Sequence, residues 1–72
     1  MNVVWHPDAL NDWRRLSLGD ATLVDAAIQR WAATGEGLVI FDDDEFRLFV
    51  GDLVVVFFVS QDQMHVGHVR RA

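Results

Sequence analysis

The polar and apolar positions divide the chain into two halves with different periods. From residue 7 to 34 apolar residues recur at intervals of three and four; from 38 to 70 they come in short runs separated by charged or glycine-containing breaks. The first pattern belongs to amphipathic helices and the second to strands. Ala9, Leu10, Trp13 and Leu16 fall on one helical face. Pro7 suits the first turn of that helix, where its missing N–H would have no partner anyway. Asp8 and Asp12 put negative charge near the positive end of the helix dipole. Gly19 is the expected left-handed stop. Asp20 is the expected N-cap of a second helix, whose stripe is Val24, Ala27, Ile28 and Trp31, with Leu23 and Ala32 beside it. Gly35 and Gly37 end it, and the short connection predicts an antiparallel helical hairpin.

The strands are read as Leu38 to Phe41, Phe46 to Val50, Leu53 to Val59 and Met64 to Arg70, with a short additional one at Asn2 to Trp5. Asp42-Asp43-Asp44-Glu45 is a turn, because four adjacent carboxylates require water. Gly51-Asp52 is a two-residue hairpin loop, and Ser60 to Gln63 turns again. The order β-α-α-β-β-β-β predicts a single α+β domain over residues 1 to 72, a helical hairpin packed on one face of an antiparallel sheet of four to five strands. Within it, Phe46, Leu48 and Val50 share one face and Arg47 and Phe49 the other. Leu53 to Val59 is apolar at every position, so both of its faces need cover, yet two helices cover only one. The other side then requires a homodimer, a segment of a partner or a curl of the sheet. That argument favours a protein partner from the pattern alone.

Composition sharpens this picture. A chain of 72 residues is one domain, and at that size only about 60% of the unfolded surface is hidden on folding. Half the residues are apolar, and three Trp and five Phe supply a packed core rather than disorder. There is no Cys, which excludes disulfides and thiolate zinc sites. Eleven carboxylates against six cations give a net charge of −5, which repels nucleic acid in general. All six cations are Arg, so no amine is available for chemistry. The seven-residue run Leu53 to Val59 is too short for a helical span, which needs about 20 residues. No basic region with a long apolar stretch opens the chain. The expectation is a cytoplasmic protein with no membrane partner.

The candidate chemistry is sparse. His65 and His68 are three apart and should point to opposite faces of a strand; a shared metal would need a bulge at Gly67, with His6 as a further ligand, and neither a metal nor a cofactor is expected. The Asp42 to Glu45 cluster lacks the ligand spacing of a calcium loop and reads as a solvated turn or a dock for a basic segment. Trp5, Trp13 and Trp31 read as core. Arg47 has two readings: a contact for phosphate or a partner, or a stem lying on apolar surface with its head paired to an Asp.

Several segments carry a family likeness. His6-Pro7-Asp8-Ala9-Leu10 runs from a strand into a helix, Phe46-Arg47-Leu48-Phe49-Val50-Gly51-Asp52 is an aromatic-Arg-apolar strand closed by Gly-Asp, and Val66-Gly67-His68-Val69-Arg70 is a terminal strand with a Gly-His-Arg-like element. In this order and spacing, nearly the whole chain resembles the RelE/ParE superfamily of bacterial toxins. The resemblance implies a growth-inhibiting partner in a toxin–antitoxin, or plasmid-stabilisation, system. It implies a cognate antitoxin, a homodimer or hetero-oligomer, and either DNA gyrase or the ribosome as target. In the ribosome-dependent mRNA endonucleases of the family the matching positions would make Arg47, His68 and Arg70 catalytic. Arg47, Phe49 and Arg71 are then the candidates for partner contact.

The chain also departs from the nucleases. It has no Lys and no Tyr, Phe49 stands where a second basic residue is common, and Leu53 and Val54 follow Gly-Asp where an aromatic and an Arg are usual. Cutting RNA through its 2′-OH needs a base, an acid and cations for the charged transition state. The expectation is therefore a toxin-like protein that binds an antitoxin and gyrase. An mRNA endonuclease and a non-toxic interaction module on the same fold are the alternatives.

Overall fold

The computed structural model describes all residues from Met1 to Ala72. Its elements are β1 (Asn2–Trp5), α1 (Pro7–Arg14), α2 (Leu18–Thr34), β2 (Leu38–Asp42), β3 (Glu45–Val50), β4 (Leu53–Ser60) and β5 (Gln63–Arg71). The expected order is present, and the strands form one sheet in the order β1-β5-β4-β3-β2. From β2 to β5 the pairing is antiparallel, whereas β1 joins β5 in parallel. The sheet is thus mixed, because the chain passes through both helices and three strands before its last strand returns beside the first.

The β2–β3 and β4–β5 hairpins follow from their turn residues. Asp43 and Asp44 have φ of 51° and 63°, and Gln61 and Asp62 have 54° and 59°. Two successive left-handed residues give the turn whose twist suits a right-handed β-ribbon, and Asp tolerates that conformation better than most residues.

Two expectations about the helix boundary are corrected. Gly19 lies inside α2 rather than ending α1, and the N-cap of α2 is Ser17, whose Oγ accepts from the Asp20 N–H at 3.1 Å. Asp20 sits in the first turn instead, where its charge meets the helix dipole. The serine three residues before an aspartate is a capping signal that a glycine one place away obscures. The expected stop at the other end is present: Gly35 has φ of 76° and its N–H reaches the Trp31 carbonyl.

The core lies between the helices and one side of the sheet. Ala9 from α1 and Val24, Ile28 and Ala32 from α2 meet Leu48, Leu53, Val55, Phe57, Met64, Val66 and Val69. Trp5, Trp13 and Trp31 pack against this cluster, as expected of core aromatics. Leu23, expected beside the α2 stripe, is exposed. On β4 the residues from Leu53 to Phe57 are buried on both faces, whereas Phe58 and Val59 are open to water.

The registers of β4 and β5 slip once. Val56 pairs with His68 and Phe57 with Val66, which leaves Gly67 as the extra residue of a bulge. A Cβ at Gly67 would meet only the Val56 carbonyl oxygen, at 3.7 Å, with no positive φ to strain it. Gly67→Ala is therefore expected to shift stability by no more than about 1 kcal/mol in urea titration, through its effect on the unfolded chain. A loss above about 2 kcal/mol would show that the bulge requires glycine.

Candidate functional site

The side of the sheet away from the helices is built by strand alternation. Residues paired in register share a face, so Arg47 with Val56, Phe49 with Val54, Val54 with Arg70, and Val56 with His68 all project there. Ile40 and Leu38 continue the two rows toward the β2 edge, opposite Arg47 and Phe49. Val54 and Val56 retain only 5% exposure although no helix covers them. Long side chains flank them on both neighbouring strands, so part of the expected need for cover is met within the chain. The cover runs out at Leu38, Ile40 and Phe58, which are exposed.

Of the residues picked out from the sequence, Arg47, Phe49, Arg70 and Arg71 border one hollow of about 300 Å³, together with Val54 and Ala72. His68 does not join them. It lies across β4 from Arg47 and borders a second hollow with His6, Pro7, Asp8, Phe58 and Gly67. The three candidate catalytic residues therefore do not converge on one point.

Each cation of the first hollow has a different electrostatic state. Arg47 donates from Nη1 to Asp42 Oδ2 at 3.3 Å and from Nη2 to Glu45 Oε1 at 3.0 Å. Its Nε is buried and has no partner. The hydrogen bond to Glu45 holds the guanidinium above its ordinary pKa against the opposing effect of burial, with further help from the charges of Glu45, Asp42 and Asp43. Both readings of Arg47 are thus present in part, the stem on apolar surface and the head on carboxylates. Arg71 is also engaged, donating to both Asp52 carboxylate oxygens at 3.0 and 2.9 Å and to Asp20 at 3.3 Å. Arg70 takes part in no ion pair.

The bulge corrects the expected divergence of the two β5 histidines. His65 opposite Phe58 and His68 opposite Val56 lie on the same side of the sheet, because the extra residue resets the alternation. They still do not meet. His65 Nδ1 lies 3.0 Å from His6 Nε2 and its ring stacks on Phe58 at 4.6 Å. His68 Nδ1 lies 3.7 Å from Asp12 Oδ2, which already accepts the Val69 N–H at 3.0 Å. No group of three or more His, Asp or Glu side chains converges as a metal site.

Compared by sequence, no family model and no curated protein matches the chain. Compared by structure, it resembles the toxin–antitoxin complex RelBE of E. coli, with a TM-score of 0.80 at 14% identity, over 99% of this chain and 95% of the other. It is also similar to a YoeB/ParE toxin from Agrobacterium tumefaciens, at 0.79 and 19% identity over 100% and 99% of the two chains. A YoeB dimer from Staphylococcus aureus gives 0.76 at 12% identity, over 100% and 97%. The chain has the RelE/ParE toxin fold.

On this RelE/ParE fold, the residues that the sequence alone did not bring into the site are carboxylates. Asp42 and Glu45 were assigned to a turn, yet they flank it as the last residue of β2 and the first of β3, paired with each other and reaching Arg47. The signal was available: Glu45 and Arg47 are two apart on one strand and so share a face. Asp12 was assigned to a helix dipole, yet it caps an open N–H of β5. No helix is long and apolar enough to cross a membrane.

Proposed function

We propose that the chain is a member of the RelE/ParE superfamily, a toxin-like component of a bacterial toxin–antitoxin pair acting in the cytoplasm. In this reading it works by binding proteins: a cognate antitoxin across the open side of the sheet, and a protein target such as DNA gyrase. The observation that carries it is the state of Arg47. Its head is neutralised by Asp42 and Glu45, at 3.3 and 3.0 Å, within a chain of net charge −5. A nuclease site needs cations left free for the substrate phosphate and its transition state. Here only Arg70 is unpaired at the hollow, and His68 faces a different one. Beside Arg70 the hollow is lined by Phe49, Val54 and Ala72 together with the carboxylate-paired Arg47 and Arg71, a mixed surface of the kind a polypeptide covers.

Expression of the chain alone in a bacterium tests the proposal. Growth arrest with intact mRNA is the expected result, with broken DNA if gyrase is the target, and relief on co-expression of the antitoxin. Arrest accompanied by cut mRNA would replace binding with ribosome-dependent cleavage. Undisturbed growth would reduce the chain to a non-toxic interaction module.

A further inference from the structure

We infer that His6 and His65 form a site for one divalent transition-metal ion of the zinc class, held where the end of β1 meets β5 on the side of the sheet away from the helices. The site lies outside the Arg47 hollow and does not depend on the toxin reading.

The two rings present nitrogens to each other, with His6 Nε2 3.0 Å from His65 Nδ1. Two imidazole lone pairs repel at that distance, so one positive object must sit between them, a shared proton or a cation. Zinc binds imidazole nitrogen at about 2.0–2.1 Å, and a tetrahedral angle then sets two such nitrogens about 3.3 Å apart. The rings need to part by only a few tenths of an ångström. Neither ring is loose. The His6 backbone N–H donates to the Val66 carbonyl at 3.0 Å, which fixes the end of β1 beside β5. The His65 ring stacks on Phe58 at 4.6 Å with 3° between the planes, and the His6 ring lies 5.8 Å from the same Phe58. Both conditions that the sequence set for a shared ion are present, a bulge at Gly67 and the approach of His6. The ligand pair differs from the one that spacing suggested, since His68 turns to Asp12 instead.

Charge favours a cation here. The adjoining hollow is bordered by His6, Phe58 and Asp8 among others, and no Arg lines it. Asp8 takes part in no ion pair, so its charge is left to the hollow. Only two protein ligands converge, and water from the hollow completes the coordination they begin. Imidazole suits zinc, copper and nickel, whereas magnesium and calcium take oxygen ligands. When the ion enters, the proton between the rings moves to the outer nitrogen of its own ring, so two neutral imidazoles release none.

The test titrates zinc chloride into the untagged chain and follows the imidazoles by long-range proton–nitrogen spectra. Zinc should shift His6 Nε2 and His65 Nδ1, leave the outer nitrogen of each ring protonated, and leave His68 uncoordinated. By calorimetry, His6→Gln and His65→Gln should each weaken zinc binding at least about tenfold, a scale on which even the supporting groups of a metal site act. Magnesium should give no binding heat. By linkage, zinc should raise the urea midpoint of the unaltered chain and not that of either variant. Coordination through His68, undiminished affinity in either glutamine variant, or a zinc-dependent dimer with ligands from two copies would each overturn the inference. The spectra of the unaltered chain decide the ligands even where a variant fails to fold. Undisturbed bacterial growth would leave the site standing, and absent zinc binding would leave the toxin reading to its own growth test.

Discussion

Replacing Phe57 with alanine is expected to leave little folded protein at 25 °C. Phe57 has 1% of its surface exposed and lies at the junction of sheet and helix. Its ring meets Trp31 edge-on at 4.6 Å and stacks on Phe46 at 5.1 Å. Truncation of a buried Phe costs about 3–5 kcal/mol, from lost transfer energy and from the cavity left behind. A chain of this length has total stability of only about 4–11 kcal/mol, and small domains lie toward the lower end. The loss therefore takes most of what holds the fold. Phe58→Ala is the matched control: the next residue points to the other side of the sheet, is open to water, and should cost about 1 kcal/mol or less. Urea titrations followed by far-UV dichroism and by tryptophan emission separate the two. Similar midpoints for both variants would contradict the assignment of faces on β4.

On β3 the corresponding assignment was readable from the residues, and the reason is specific. That strand keeps period two between breaks that can be nothing else, four carboxylates and a Gly-Asp pair, so the face of Leu48 and the face of Arg47 follow without coordinates. The helices were readable in their stripes but not at their junction. There Ser17, Gly19 and Asp20 all carry boundary chemistry, and the structure uses Ser17, whose Oγ accepts from the Asp20 N–H. The sequence pattern also gives no sign that β1 runs parallel to β5, since pairing across sixty residues leaves no local trace. The site was legible as a set of residues and not as an arrangement. Alternation placed Arg47 and Phe49 on one side, and they do border one hollow, which Arg70 joins because the bulge at Gly67 resets its face. The bulge at Gly67 then moved His68 out of the alternation it was read in, and its neighbour across the fold became Asp12. The pairing of Arg47 with Glu45 follows their two-residue spacing on β3, whereas its pairing with Asp42 depends on side-chain reach across the β2–β3 hairpin.

The second large effect is expected at Gly37, where α2 hands the chain to the open edge strand. Gly37 has φ of 150°, and a Cβ there would stand 2.8 Å from Leu48 Cδ1 and 3.6 Å from Trp31 Cδ1. A leucine methyl at the surface could swing away, but Leu48 is 1% exposed and held by the core. Gly37→Ala thus combines backbone strain of about 1–3 kcal/mol with overpacking of a similar size, and about 2–6 kcal/mol in total is expected in urea titration. Gly35→Ala separates the two contributions. That glycine has φ of 76° and nothing within 4 Å of its missing Cβ, so it suffers the conformational cost alone, about 1–2 kcal/mol. The Gly37 variant relieves its clash by lifting the start of β2 off Leu48, so amides from Leu38 to Asp42 should lose protection from exchange before those of β3 and β4. Leu48→Val removes the offending methyl carbon. Combined with Gly37→Ala it should be less destabilising than the sum of the two single changes, since residues in contact are not additive. Strict additivity would mean that the methyl contact is not what makes glycine necessary at this position. The edge strand would then be held by its ladder to β3 alone.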